Sequence, residues 1–457
     1  MATTSLRRTP SSAGSNTTAT VSVWVKIDTT NNQGSYHNII GGNEGSSSTD
    51  RSLFAVSNDG TFYNQIVDGG TNYYQDSSVY FRDPTAWYHI VFQFDTSNAT
   101  EQSRVKTYVN NQLVTSWGTS ASWPQNVPIQ FWNTSNSPEF LIGCRKSSAN
   151  YQYFFNGSMA HMYIIDGTVY APSKFAETDA TTGEWVPIAT PTGITYGTNG
   201  SLLKFEDKSN MALDSSGNDL SYTTTGSLIQ TQDNPQNNFA TLHTLAGTTR
   251  GALDNASGTY TTTSTEHGAQ STLGMAAGKW YWECKIDDTS HNIGLCENPA
   301  SPAGSPDDNF PNYNVVNTGT TTHTIYNNPT SGNNSTTITA TASAAGDIIN
   351  MAYDADNGFL YYGLNGTWLN SGDPTSGATG TGAIVSSITV RQKGTIVAMH
   401  GAPTSSSRTF HYNFGNGYFG TTAVSTANSD GASIGLFEYA VPTGYYALCT
   451  KNLATYG

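Results

Sequence analysis

Short runs in which apolar and polar residues alternate recur along the 457 residues, separated by clusters of Gly, Asn and Ser, and no stretch keeps a helical period for three turns. The pattern predicts a chain that is nearly all β. In the first half, strands are expected at Ala19–Ile27, Asn38–Gly41, Leu53–Val56, Thr61–Val67, Trp87–Asp95, Val105–Val109, Gln112–Trp117, Phe140–Cys144 and Ser158–Asp166, enough for two antiparallel sheets. Within WYHIVFQFD, Tyr88, Ile90, Phe92 and Phe94 share the side that must face a core, and Trp87, His89, Val91 and Gln93 share the other. In RVKTYVNNQLVTSW, Asn110 and Asn111 stand between two such runs. A two-residue hairpin turn needs positive φ at both positions, which Asn tolerates, so a tight hairpin is expected there.

Beyond Ala171 the periodicity weakens, Pro172, Pro187, Pro191 and Pro235 punctuate a polar stretch, and one good strand, Ser201–Glu206, stands out. Leu213–Tyr222 reads as a turn followed by strand residues. A linker of this length without structure would be unusual, so it is read as a partly ordered connector that packs on the first domain. A second set of strand-like runs begins at Phe239. In GDIINMAYDADNGFLYYGLNG, Ile348, Asn350, Ala352 and Asp354 alternate against Ile349, Met351 and Tyr353, and Asp356-Asn357-Gly358 supplies the turn of a long hairpin. Glu297–Thr341, rich in Pro, Gly, Ser, Thr and Asn, reads as a loop insertion between core strands, the kind of place where binding is often sited. The expected fold class is thus all-β, with two antiparallel β-sandwich (jelly-roll) domains joined by a partly ordered connector: a tail at 1–17, a first sandwich at 18–170, the connector at 171–238 and a second sandwich at 239–457.

Composition narrows the partners. Only 11% of residues are charged and 12% are aromatic, with Tyr ahead of Phe and Trp, which suits sandwiches with polar loops. Acidic residues outnumber basic ones 33 to 19, and the net charge of −14 would repel a phosphate backbone or an anionic bilayer, so neither nucleic acid nor membrane is an expected partner. No run approaches the roughly 20 apolar residues of a membrane span, and MATTSLRRTPSSAGSNTT lacks the apolar core of a secretory signal, so a soluble chain without its own export address is expected. The four cysteines, Cys144, Cys284, Cys296 and Cys449, are too few and scattered for a disulfide framework or metal knuckle and are read as free, mostly buried thiols. Cys284 and Cys296 lie on neighbouring expected strands and could face each other, but they too are read as core thiols. Arg7 and Arg8 form a lone positive cluster that could dock on an acidic surface, with disorder the default expectation for such a terminus.

The order VSVWVKI, WYHIVFQFD, RVKTYVNNQLV, EFLIGCRK, FFNGSMAHMYIIDG resembles the LamG or concanavalin A-like jelly roll over roughly residues 18–170. LRRTPSSAGSNTT before it and FAETDATTGEWVPI after it resemble segments that flank this domain in structural proteins of marine bacteriophages. The later series GKWYWECKI, HNIGLCEN, GDIINMAYDADNGFLYYGLNG and RTFHYNFGNGYF resembles a SPRY domain, with Asn413, Phe414 and Gly415 in its closing segment. These resemblances imply a virion surface protein, located in the particle, present in multiple copies and in contact with capsid, portal or tail proteins.

Glucanases of the jelly-roll fold need two carboxylates flanking the sugar bond, on one strand. The nearest spacing here is Glu177, Asp179 and Glu184, but Thr181 and Thr182 occupy the positions for the second Glu, so no enzyme activity is expected. The nine histidines are singletons and no Gly-x-Ser-x-Gly elbow is present, which leaves hydrolase and zinc chemistry without support. Jelly rolls of this type can hold Ca²⁺ through loop carboxylates, and Asp76, Asp83 and Asp95 are candidate donors, although no residue is assigned and no cofactor is established. Sugar recognition wants aromatic faces beside amides and hydroxyls, and Tyr73, Tyr74 and Tyr80 in TNYYQDSSVYF and Trp117, Trp123 and Trp132 in SWGTSASWPQNVPIQFW are the candidates. Core packing is the commoner fate of such residues. The expected function is binding, with host cell-surface polysaccharide as the ligand, in a tail, fibre or capsid decoration. The alternatives are a purely architectural protein that contacts neighbouring subunits and, less favoured, a polysaccharide-degrading enzyme.

Overall fold

The run at Tyr88–Asp95 forms a strand whose two faces meet different surroundings, as its alternation predicts. The computed structural model describes residues 4–27, 36–42, 49–57, 59–81, 83, 85–120, 122–134, 138–147, 150–243, 251–254, 258–262, 268–297, 312–328, 334–388, 395–401 and 407–457. In it Ile90, Phe92 and Phe94 enter an apolar core with Val21, Val23, Phe54, Phe62 and Ile66. That core lies between two antiparallel sheets of the first compact unit, Met1–Gln230. The six-stranded sheet runs Ser201–Leu203, Gly157–Asp166, Thr18–Ile27, Tyr88–Asp95, Val105–Val109, Gln112–Leu113. The eight-stranded sheet runs Trp117–Ser120, Thr71–Tyr80, Thr61–Asp68, Arg51–Val56, His37–Gly42, Phe140–Ile142, Ser5–Arg8, Thr223–Thr225. Asn110 and Asn111 have φ of 46° and 67° and close the hairpin between Val105–Val109 and Gln112–Leu113 as expected.

Several segments differ from their sequence reading. The expected run Gln112–Trp117 splits, its start ending one sheet and its end, Trp117–Ser120, edging the other. Thr71–Tyr80, which the sequence suggested only as a binding stretch, is a ten-residue strand, because polar residues on both faces hide its period. The segment set apart as a tail supplies Ser5–Arg8, paired on one side with Phe140–Ile142 and on the other with Thr223–Thr225. Its Leu6 is buried in the core, and Arg8 is buried too. A tail that docks through both arginines is therefore not what these residues form.

The outer side of the six-stranded sheet is also covered. Val91 packs with Tyr163, Ile165, Phe175 and Leu202, and with Tyr170 and Tyr196. His89 stacks on Trp24 at 4.9 Å. Trp185 Nε1–H donates to His89 Nδ1 at 3.0 Å, which leaves the Nε2–H to donate to Ser22 Oγ at 2.8 Å. Residues beyond Ala171 thus cover apolar strand faces that water would otherwise touch.

In the second compact unit, Thr231–Gly457, an eight-stranded and a seven-stranded sheet enclose Trp280, Trp282, Ile349, Met351, Tyr353, Tyr362 and Tyr412. Ile348–Asp354 pairs with Phe359–Leu364 in the expected hairpin, where Gly358 has φ 71°. Within Glu297–Thr341, residues 298–311 and 329–333 lie outside the described residues, but Asn312–Thr318, Thr322–Asn328 and Ser335–Thr339 are strands of the seven-stranded sheet, so this part is sheet and not a loop insertion. Its Thr and Asn residues serve a sheet whose outward face is polar. All four cysteines are buried and free, Cys284 and Cys296 included.

Glu283, on the strand Lys279–Ile286, is fully buried and gathers four donors: the backbone N–H groups of Glu438 and Tyr439, both at 2.9 Å, Tyr281 Oη–H at 2.9 Å and Asn413 Nδ2–H at 3.3 Å. Desolvation outweighs these bonds and raises its carboxyl from the ordinary 4.5 to about 7. Between these values the folded chain holds a proton that the unfolded chain has released. Glu283 therefore favours folding below about pH 4.5, and that contribution is lost as pH rises through about 7. Glu283→Gln is expected to flatten the stability–pH curve between pH 5 and 8 and, by leaving a buried N–H without its acceptor, to lower stability at pH 5 by about 1–3 kcal/mol. Urea denaturation of both proteins across this range checks it, and identical pH slopes would contradict it.

Candidate functional site

The outward face of the eight-stranded sheet is built from residues that its register turns away from the core. Thr61–Asp68 and Thr71–Tyr80 are joined by Gly69 and Gly70, with φ of 53° and 81°, so that Asp68 faces Thr71 and the pairing runs Gln65 with Tyr74 and Tyr63 with Asp76. On the next strand Leu53 lies opposite Gln65 and Ala55 opposite Tyr63. Phe62 and Ile66 enter the core from the other face. Tyr63, Gln65, Tyr74 and Asp76 thus share one side of the sheet.

On that side four tyrosine rings form a connected array. Tyr63 lies 4.6 Å from Tyr36 and 5.8 Å from Tyr74, and Tyr36 lies 5.9 Å from Tyr153. The guanidinium of Arg145 sits 5.3 Å over Tyr153. Gln65 ties the base of the array together: its Nε2–H₂ donates to Tyr63 Oη and Asn72 Oδ1, each at 3.0 Å, and its Oε1 accepts from Arg51 Nε–H at 2.9 Å. Thr61 Oγ1 lies 2.9 Å from Asp76 Oδ1. Partial burial, with the neighbouring Tyr36, pushes the Tyr63 phenol up to about 12, and burial followed by Asp76 raises Tyr36. Both hydroxyls therefore remain neutral at physiological pH. All four tyrosines are half-buried, so part of each side chain stays exposed.

Of the residues the sequence singled out, the structure places Tyr74 in this array. Tyr73, one residue away, faces inward opposite Ile66 and packs against the core. Tyr80 is 47% exposed at the strand end, opposite Thr61, and Trp117 packs half-buried against the core from the edge strand. Trp123 and Trp132, each 2% exposed, are core residues, a correction to their reading as loop-borne platforms. Rings of this size remove so much apolar area from water that segments crossing the end of a sandwich bury them. Tyr63 had a readable signal, the alternation FYNQIV, whereas Tyr36 and Tyr153 are brought to the array only by tertiary packing.

The candidate calcium donors do not converge. Asp76 accepts from Thr61, Asp83 from Thr85 of its own turn, and Asp95 from Ser97 and Asn98. Among the described residues no group of three or more His, Cys, Asp or Glu could hold a metal ion. Asp179 accepts from the N–H groups of Thr181 and Thr182, both at 2.8 Å, and so shapes the turn of the hairpin formed by Ala176–Thr178 and Trp185–Pro187. Glu177 and Glu184 are exposed on that hairpin. No helix among the described residues is long and apolar enough to cross a membrane.

Trp123→Ala and Trp132→Ala are expected to destabilise the first unit by about 3–5 kcal/mol, the range for emptying a buried aromatic site. Tyr74→Ala is expected to cost less than about 1 kcal/mol. Chemical denaturation followed by tryptophan fluorescence reads the difference.

Residues 2–173 match a family described as the concanavalin A-like lectin/glucanases superfamily. No curated protein matches the chain. Among solved structures, the SPRY domain of human HERC1 shares 12% identity and a TM-score of 0.25, over 34% of this chain and 86% of that one. The heptameric SAP-like pentraxin from Limulus polyphemus shares 13% identity and a TM-score of 0.28, over 41% and 86%. The CBM40 of the Ruminococcus gnavus IT-sialidase, bound to alpha2,3 sialyllactose, shares 12% identity and a TM-score of 0.27, over 36% and 94%. Residues 2–173 thus carry a concanavalin A-like lectin domain.

Proposed function

We propose that this chain is a carbohydrate-binding protein of a virus surface, which attaches the particle to host polysaccharide through the tyrosine face of its first unit. The observation that carries the carbohydrate reading is the array of Tyr36, Tyr63, Tyr74 and Tyr153, flanked by Gln65, Asn72, Arg51 and Asp76. Neutral phenols present ring faces to the C–H side of a pyranose, while amide, guanidinium and carboxylate groups exchange hydrogen bonds with its hydroxyls. The match of residues 2–173 to a lectin-containing superfamily supports the same reading. The virion setting rests on the resemblance of the segments around residues 6–18 and 175–188 to those flanking this domain in phage structural proteins. In that setting capsid, portal or tail proteins would hold the chain in repeated copies. A binding role is supported by Asp179, the middle carboxylate of the nearest glucanase-like spacing, which accepts from the Thr181 and Thr182 N–H groups and shapes a hairpin turn.

The test is a glycan array carrying host surface polysaccharide, run with and without calcium. Specific retention is expected. Tyr63→Ala and Tyr74→Ala should weaken it about tenfold or more, equivalent to roughly 1.4 kcal/mol, while Tyr80→Ala, off the array, leaves it unchanged. Absence of any glycan binding by a protein that still assembles onto particles would instead establish the architectural role.

A further inference from the structure

Among the described residues, the longest strand at the end of any sheet is Ser335–Thr339, which closes the seven-stranded sheet of the second unit. It pairs with Thr322–Asn328 on one side, Ser335 opposite Tyr326 and Thr339 opposite Thr322. Among the described residues no strand lies on its other side. Four of its five residues are exposed, and Ile338 is half-buried.

An open edge of this kind is a template for another strand, and proteins ordinarily blunt it with a charge, a proline, a bulge or extreme shortness. The other described sheet ends show these devices. Trp117–Ser120 is bulged after Trp117, Gly251–Asp254 ends on an acid, and the remaining end strands have only two or three residues. Ser335–Thr339 has none of them: its sequence is STTIT, and its pairing with Thr322–Asn328 runs without a shift of register. From Asn309 to Gly346, a span that holds the three strands nearest this edge, there is no Asp, Glu, Lys or Arg.

The backbone defines what the edge can accept. Asn327 N–H donates to Asn334 O at 3.0 Å and Ala340 N–H to Thr321 O at 2.8 Å, and bonded pairs alternate along an antiparallel ladder. Thr336 and Ile338 therefore turn their N–H and C=O groups toward Thr322–Asn328, whereas Ser335, Thr337 and Thr339 turn theirs outward. These outward groups are spaced symmetrically about Thr337. A second copy of the strand, laid antiparallel, sets Thr337 against Thr337 and Ser335 against Thr339, and every outward N–H and C=O then finds a partner. The side chains fit the same register. Thr337 stands beside its own copy, a favourable cross-strand pair, and Ile338, which packs against the core of the second unit, lies opposite Thr336 of the second copy and has more of its apolar surface covered.

We propose that Ser335–Thr339 is a self-pairing edge, through which two copies of this chain join their seven-stranded sheets into one. The charge pattern selects a second copy as the occupant: chains with a net charge of −14 repel one another, and least where the facing surfaces carry no charge, as here. The contact lies in the second unit and is independent of what the tyrosine face of the first unit binds. Five paired residues make a small interface, so the dimer is expected to dissociate on dilution.

The experiment is sedimentation velocity of the full chain over a range of concentrations. A monomer–dimer equilibrium is expected, and added salt should strengthen it by screening the repulsion between acidic chains. Thr337→Pro removes the outward N–H at the two-fold axis without touching a bond to Thr322–Asn328, and should weaken dimerisation about tenfold or more, since two hydrogen bonds are lost per dimer. Thr337→Lys, at an exposed position, sets like charges side by side and should weaken it severalfold, which keeps the test open if Thr337→Pro does not fold. Thr367→Lys, at another exposed sheet end of the same unit, should leave it unchanged. The four native cysteines are buried, so an introduced thiol reads the register. Thr337→Cys should give a disulfide-linked dimer on oxidation, because an antiparallel bonded pair holds its Cα atoms about 5.5 Å apart. Ser335→Cys should not, because four residues of strand, roughly 14 Å, separate it from its own copy. A chain that stays monomeric at every concentration overturns pairing with a second copy and leaves the edge to a strand of another protein. A dimer that both Thr337→Pro and Thr337→Lys leave intact overturns it as well, and linkage of Ser335→Cys as readily as Thr337→Cys overturns the antiparallel register.

Discussion

The register between Thr61–Asp68 and Thr71–Tyr80 decides which side of the first unit is core and which is available for recognition. It is set by a two-residue turn, Gly69-Gly70, in which both residues have positive φ. That geometry matches the twist of the strands and fixes the pairing from Asp68 with Thr71 as far as Tyr63 with Asp76. A slip of one residue would turn Tyr63, Gln65 and Tyr74 inward and expose Phe62 and Ile66. The turn is itself held, since Gly69 N–H donates to Asp50 Oδ1 at 2.9 Å and Gly70 N–H to Thr49 O at 2.8 Å.

Polar groups inside this protein act as fixed points of assembly. With only 11% of residues charged, there are few ion pairs to distribute, and buried hydrogen-bonding residues do the positioning. His89 bonds Trp185 and Ser22 at once and so fastens a late hairpin onto an early sheet. In the second unit Glu283 receives donors from three separate segments, and Asp430 accepts from Ile434, Gly435, Ala447 and Asn452. Each hub fixes loop backbone that has no strand partner of its own.

By itself the sequence determined much of the framework. Alternation in WYHIVFQFD and GDIINMAYDADNGFLYYGLNG assigned the strand faces, because a period of two is a local property of the chain, and Asn110-Asn111 announced a hairpin because few residues accept positive φ. The same logic could have marked Tyr63 as outward. It could not separate Tyr74, on the outer face, from Tyr73, on the inner, because Thr71–Tyr80 is polar on both sides and carries no period. Nor could it show that Trp123 and Trp132 are core, or that Tyr36 and Tyr153 complete the array, since these positions follow from which segments cross the end of the sandwich. Tertiary structure alone decided that Ser5–Arg8 is a strand between Phe140–Ile142 and Thr223–Thr225. That pairing joins residues more than 200 positions apart in sequence, and only the need to complete the sheet and bury Leu6 brings them together.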